Sequence, residues 1–365
     1  MTVKNIVSEI EKLAPLYYQE SYDNAGLLIG EPNQQVSAIL ICFDVTEAVI
    51  DEAIQRNANL IISHHPTIFT GLKRFNGNNH TERIVIKAIK NDIALYAAHT
   101  NLDSVFGGIN SRLCDKLGLI NQEILVPKQS ELVKLVSFVP ESHAEIVRKA
   151  LFDAQAGHIG NYDCCSYNVK GDGTFRAGEN TNPFAGEKGA LHFEPEIRIE
   201  TVVKRPLLSN TIKALLQVHP YEEVAYDVYP IENAIPNAGA GMVGNLAEPM
   251  LVIDFLQKLK TSFDVKCLRY SKPNKDVISR VAVCGGAGSS FINDAIKAKA
   301  DIYITGDCKY HQFIDVANNI ILVDIGHYES EFFASEIFYE LFSKKFPNFA
   351  VYLAKTSENP VQYWI

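Results

Sequence analysis

The stretch Ala58-Asn59-Leu60-Ile61-Ile62-Ser63 returns as Ala300-Asp301-Ile302-Tyr303-Ile304-Thr305. In the same register, Ile50-Asp51-Glu52-Ala53-Ile54 returns as Ile292-Asn293-Asp294-Ala295-Ile296. A strand-like apolar run precedes each copy, at 38–43 and 281–284, and another follows, at 93–98 and 320–325. Each copy therefore reads strand, helix, strand, helix, strand, the alternation that produces parallel strands covered by helices. The spacing predicts an α/β protein in which two related lobes with mostly parallel sheets form one core.

The chain is punctuated where these buried runs emerge. Ile61-Ile62-Ser63-His64-His65-Pro66 ends one run, His99-Thr100-Asn101-Leu102-Asp103 follows another, and Gly326-His327-Tyr328-Glu329-Ser330-Glu331 follows a third. Imidazoles and carboxylates at the carboxyl ends of strands are poor packing groups and good metal ligands, and such strand ends commonly hold ligand sites. Strand alternation alone sends His64 and His65 to opposite faces, but a strand broken at Pro66 presents both to one cavity. His327 and Glu331, four apart at the start of an amphipathic segment, share one helix face, whereas Glu329 points elsewhere. Asp103 reads as a ligand or as the cap of a helix beginning near Ile109. His99 reads as a further ligand or as a group that orients a ligand through a hydrogen bond. Asp307, Lys309 and His311 form a further polar cluster suited to substrate or supporting contacts.

His64, His65, Asp103, His327 and Glu331 offer three imidazoles and two carboxylates, more than one catalytic zinc requires, so two divalent ions are expected with Glu331 as a bridge. Mixed nitrogen and oxygen donors suit Zn, Mn, Fe, Co or Ni.

Between the repeats, residues 127–237 read differently. Strand-like runs at 132–139, 197–203 and 224–230 and helical runs at 142–154 and 208–218 give a ferredoxin-like α+β order. The glycine-rich stretch 157–189 lacks phosphate-loop spacing and reads as a long loop with short strands. The expected organisation is lobe 1 over 1–126, an inserted domain over 127–237 and lobe 2 over 238–365.

Composition bounds the rest. The 365 residues are 47% hydrophobic and 21% charged with a net charge of −9, an ordinary globular balance without the positive excess that non-specific nucleic-acid binding requires. Nucleic acid is a disfavoured partner. The N-terminal residues carry Val3, Ile6, Val7, Ile10 and Leu13 at helical spacing instead of a signal-peptide core, and no run suggests a membrane span. Seven cysteines without metal-finger spacing fit a reducing cytoplasm.

The motifs Asp23-Asn24-Ala25-Gly26-Leu27, Asp44-Val45-Thr46, Ser63-His64-His65-Pro66, His99-Thr100-Asn101-Leu102-Asp103, Thr305-Gly306-Asp307 and Gly326-His327-Tyr328-Glu329-Ser330-Glu331 together resemble the Nif-three-like family. Its bacterial members are labelled GTP cyclohydrolase 1 type 2 homologues. The resemblance covers almost the entire chain. It implies that His64, His65, Asp103, His327 and Glu331 hold two metal ions. It also implies a toroidal homohexamer and a metal-dependent hydrolase in which activated water attacks a small nucleotide-like substrate, GTP by the family label, with His99 or His311 as proton donor. The insert is similar to the PII-like or CutA-like modules of long family members, especially at His219-Pro220-Tyr221-Glu222-Glu223. Two alternatives use the same ligands: a metal-dependent phosphoesterase, and a non-enzymatic metal-binding or regulatory protein.

Overall fold

A computed structural model describes residues 1–129 and 131–364, with the backbone alone for Pro236. The chain divides into two compact units, Met1–Pro127 together with Pro236–Ile365, and Lys128–Ile235. Three sheets account for the strands.

In the larger unit, the first sheet has the order Gly26–Ile29, Ala94–Ala97, Leu60–Ser63, Ile39–Cys42, Val351–Leu353. The last four run parallel, and Gly26–Ile29 is antiparallel. Every residue of Ile39–Cys42, Leu60–Ser63 and Ala94–Ala97 is buried, the continuous apolar pattern of strands covered on both faces. Helices are started by polar side chains: Thr46 Oγ1 accepts from Val49 N at 3.2 Å to begin Glu47–Gln55, and Asn79 caps His80–Lys90. Val49, Ile50 and Ala53 then pack with Ile84, Val85 and Ala88 in one buried cluster against the strands.

The second sheet has the order Arg269–Tyr270, Ile321–Asp324, Ile302–Thr305, Val277–Val283, Ile235–Leu251, Ile120–Lys128. Its three central strands repeat the first sheet's pattern in the same register: Ile39 pairs with Leu60, and Val281 with Ile302. The expectation of mostly parallel strands fails here. Arg269–Tyr270 runs antiparallel to Ile321–Asp324, and Ile235–Leu251 to Val277–Val283, so the sheet is mixed. The two sheets also exchange edges. Ile120–Lys128, upstream of the insert, joins the second sheet, and Val351–Leu353, far downstream, completes the first.

The smaller unit is a four-stranded antiparallel sheet ordered Ser166–Arg176, Leu191–Lys204, Leu132–Pro140, Tyr226–Ile231. Helices Ala144–Asp153 and Leu208–Val218 place Val147, Leu151 and Leu215 against Val133, Leu135, Ile197 and Ile199. Its strand order is that of a ferredoxin-like βαββαβ unit. The stretch expected to be loop contains an eleven-residue strand, Ser166–Arg176, paired throughout from Ser166↔Thr201 to Arg176↔Leu191. Its alternation is masked by Gly171 and Gly173, and glycine inside a strand marks a close approach: a Cβ on Gly173 would lie 2.2 Å from Glu196 Oε2. Among the described residues no helix is long and apolar enough to cross a membrane.

Candidate metal centre

Strand register sets the site. Cys42 pairs with Ser63 and Ser63 with Ala97, so three strands stop at one level, and Thr305 and Asp324 end together in the second sheet. The residues just beyond these ends are Asp44, His64, His65, His99, Asp307 and His327. The strand bearing the histidine pair stops at Ser63. The His64 and His65 N–H groups both donate to Phe43 O, at 3.2 and 3.3 Å, and Ser63 Oγ donates to His65 O at 2.8 Å. This tight turn releases both rings from strand alternation, and their centroids lie 5.0 Å apart.

Three groups of donors have ligand atoms within 4.8 Å of one another: His64, Asp103 and Glu331; His65, His327 and Glu331; and His64, His65 and His99. Glu331 Oε2 is the hub, 3.6 Å from His64 Nε2, 3.4 Å from His65 Nε2 and 3.1 Å from His327 Nε2. His64 Nε2 lies 3.7 Å from Asp103 Oδ1. Donors around a tetrahedral ion with bonds of about 2.0–2.2 Å sit roughly 3.4 Å apart. The observed spacings bracket that value.

His64 Nε2, Asp103 Oδ1 and Glu331 Oε2 are buried and have no hydrogen-bond partner among the described residues. The approaches to Glu331 are close but lack hydrogen-bond geometry. Orphaned buried acceptors cost about 1–3 kcal/mol each, and a cation between them removes that cost. Protonation equilibria express the same demand for positive charge. Burial pulls His65 down, but the Asp44 and Glu331 carboxylates outweigh it and lift the ring to about 10. Burial likewise opposes His327, and Glu331 with Asp307 raises it to about 9. His64, fully buried, falls to about 4 because burial dominates. Burial also pushes Asp103 up, and the Glu331 charge adds to it. Burial would raise Glu331 too, but the three imidazoles hold it well below the usual carboxylate range. Yet His65 Nε2 and His327 Nε2 face each other at 3.3 Å, which two N–H donors cannot do. Two divalent ions fit this donor set.

Each ring is aimed by a partner on its other nitrogen. His64 Nδ1 meets Ala98 O at 2.9 Å, His65 Nδ1 meets Asp44 at 2.8 Å, His327 Nδ1 meets Asp307 at 2.8 Å and His99 Nδ1 meets Asp23 at 2.7 Å. Such contacts fix the tautomer and orient the ligating nitrogen. Burial pushes Asp23 up, but His99 and Thr100 outweigh it and bring its carboxyl to about 2, so it stays ionised. Asp23 and Asp44 have no assigned role in the sequence reading. Their pairing with histidines 76 and 21 positions away exists only in three dimensions. Backbone close approach completes the pocket, since a Cβ on Gly286, where φ is +58°, would lie 2.3 Å from Glu331 Oε1.

Asp103 ends the short helix Thr100–Asp103, and the helix Ile109–Leu117 begins at Gly108 without a side-chain cap, so Asp103 is not its cap. Glu329 turns away and accepts from Asn359 Nδ2 at 3.0 Å. His311 is exposed on Tyr310–Asp315, its ring 5.4 Å from Tyr310, and belongs to none of the donor groups.

The Duf34/NIF3 (NGG1p interacting factor 3) model matches residues 1–360. The chain belongs to the NIF3 family. Within it, this NIF3 chain is 43% identical over 326 residues to the GTP cyclohydrolase 1 type 2 homolog of Halalkalibacterium halodurans, covering 89% of this chain and 88% of the relative. It is 38% identical over 366 residues to the homolog of Bacillus subtilis, covering 99% and 98%. The crystal structure of a Bacillus cereus protein related to NIF3 superposes with a TM-score of 0.82 at 41% identity, covering 100% of this chain and 99% of that one.

Proposed function

We propose that this NIF3-family protein is a dinuclear metal-dependent hydrolase. His64, Asp103 and Glu331 hold one divalent ion and His65, His327 and Glu331 the other. The observation that carries this reading is Glu331 Oε2, one buried oxygen common to two donor groups. Such a pair of ions supplies Lewis acidity that activates water at neutral pH and offsets developing negative charge. The chain's own residues do the rest. Asp44 and Asp307 hold His65 and His327 in the ligating orientation, and Asp23 holds His99 with one nitrogen free, 5.3 Å from His64 and 5.2 Å from His65 between ring centroids. His99 is thereby placed to give a proton to a leaving atom.

A small-molecule substrate, GTP by analogy with the relatives' label, enters beside His65. A cavity there of about 350 Å³ is lined by Asp44, Thr46, His80 and Glu358 among others, and among the described residues by no Lys or Arg. That lining suits a heterocycle presenting N–H groups, with any phosphates directed away from it. A cytoplasmic homohexamer completes the proposal, and light scattering should give six times the 40.6 kDa chain.

The deciding experiment reconstitutes metal-stripped protein with Zn, Mn, Fe, Co or Ni and incubates it with GTP and a nucleotide panel, with Glu331→Gln as control. Formate from GTP that disappears in the variant is the expected result. Phosphate alone replaces the reading with a phosphoesterase, and bound metal without product replaces it with a metal-handling or regulatory protein.

A further inference from the structure

The smaller unit contains a cavity of about 620 Å³ for which the metal centre has no use. Its floor follows from strand alternation. On the central strand Leu191–Lys204, Ile197 and Ile199 pack toward the helices, so Glu196 and Arg198 project from the opposite face. Such a face is ordinarily wet, and carboxylates are rarely buried without a charged partner. Glu196 is nevertheless only 7% exposed.

Aromatic side chains share its cavity. Phe175, Phe184 and Tyr221 line the cavity, with the Tyr221 ring 6.1 Å from each phenylalanine ring and inclined to them by 59° and 51°. Tyr221 Oη donates to Glu196 Oε1 at 2.7 Å. The segment carrying Phe184 is tied down by Asn182 N, which donates to both Glu222 carboxylate oxygens at 2.9 and 3.0 Å. Gly173 supplies the clearance in which the Glu196 carboxylate lies. Among the described residues Tyr221 is the one hydrogen-bond partner of that carboxylate, and it has no cationic partner. Two of the cations in the lining are engaged elsewhere, Arg198 with Glu200 at 2.9 Å and Lys170 with Glu141 at 3.1 Å, and the third, Arg176, is exposed.

A nearly buried carboxylate without a counter-ion, in a cavity that three aromatic side chains also line, is an environment that favours a positive charge. Ring faces attract cations within about 6 Å of their centroids, and the volume lies in the range of small-molecule sites. Tyr221 forms no parallel slot with either phenylalanine for a flat heterocycle, and an anion would meet Glu196. We propose that this cavity binds an organic ammonium ion with apolar substituents, its nitrogen against Glu196 and the ring faces and its apolar body in the remaining volume. The proposal is independent of the hydrolase reading.

The test is calorimetric titration of the full-length protein with benzylamine and with choline, each beside an uncharged molecule of matching shape, benzyl alcohol and 3,3-dimethylbutan-1-ol. An ammonium ion should bind once per chain, with its uncharged counterpart at least about tenfold weaker. Glu196→Gln, which keeps the shape and removes the charge, should weaken ammonium binding by at least about tenfold. Phe184→Ala alters a half-exposed wall of the cage outside the buried core, should weaken binding likewise, and decides the matter if Glu196→Gln does not fold. The proposal is overturned if no ammonium ion binds below about 10 mM, if charged and uncharged partners bind alike, or if the folded variants bind as the parent does.

Discussion

The two repeats share strand order and register, yet they contribute to the centre in different ways. The first repeat places His64 and His65 directly beyond one strand end, and His99 directly beyond the next, with Asp103 at the end of the short helix that follows. At the positions equivalent to the histidine pair, the second repeat has Gly306 and Asp307, and its donor groups His327 and Glu331 come from one helical turn after the following strand. Asp307 orients His327 and belongs to none of the donor groups among the described residues. Asp44 orients His65 in the first repeat, whereas its counterpart Gly286 vacates space for Glu331 in the second. Equivalent backbone positions therefore carry complementary chemistry, and an asymmetric centre arises from a nearly symmetric scaffold.

The largest test of this division concerns the hub. Glu331→Gln, which alters both donor groups, should strip both ions from the chain, whereas Asp103→Asn, confined to one donor group, should leave the His65–His327 ion in place. Metal analysis after dialysis distinguishes these outcomes, and equal losses in the two variants would refute the shared role of Glu331. Next in size are the orienting carboxylates. Asp44→Asn and Asp307→Asn should each weaken metal affinity about 10–100-fold, measurable by competition with a chelating dye. If only one does so, the two repeats do not support their ligands equally.

Gly286→Ala should cost stability even without metal. A left-handed backbone at a residue with a Cβ costs roughly 1–2 kcal/mol, and the added carbon also meets Glu331 Oε1. Thermal unfolding of the metal-free protein should show a lowered midpoint.

The smallest effect separates Glu52 from its counterpart Asp294. Glu52 is buried and accepts from Lys355 N, Thr356 N and Thr356 Oγ1 at 2.8–3.1 Å, while Asp294 pairs on the surface with Lys297. Burial raises the Glu52 carboxyl, but those donors outweigh it and hold it below its ordinary 4.5. As the folded-state value is the lower one, the unfolded chain takes up the proton first. The stabilisation is complete above pH 4.5 and disappears as pH falls through the folded-state value. Glu52→Gln should cost about 1.5–3 kcal/mol at pH 7 and little in acid, whereas Asp294→Asn should stay within about 0.5 kcal/mol. Denaturant unfolding at the two pH values checks both.

Much of this was legible because periodicity and spacing are local signals. The repeat placed the parallel strands, and the donor motifs at their ends named the atoms that converge. What stayed hidden depends on long-range geometry. Asp23 meets His99 only once Gly26–Ile29 pairs with Ala94–Ala97. The mixed character of the second sheet depends on Ile235–Leu251 pairing antiparallel with Val277–Val283. Strand Ser166–Arg176 was obscured by two glycines, of which Gly173 gives clearance for Glu196. His311 looked suitable by residue type, but it projects from an exposed short helix.

The edge strand Val351–Leu353 also sets an order of events during synthesis. It pairs with Ile39–Cys42, and nearby Phe43 N donates to Ser357 Oγ across 314 positions of chain. The first sheet therefore has an open edge on the ribosome until Val351–Leu353 has emerged, while the second sheet and the insert are translated in between. Non-local closure of this kind slows folding and leaves an unpaired edge available for aggregation. Nascent chains stalled shortly before Val351 should depend on chaperones more strongly than chains released only ten residues or so later.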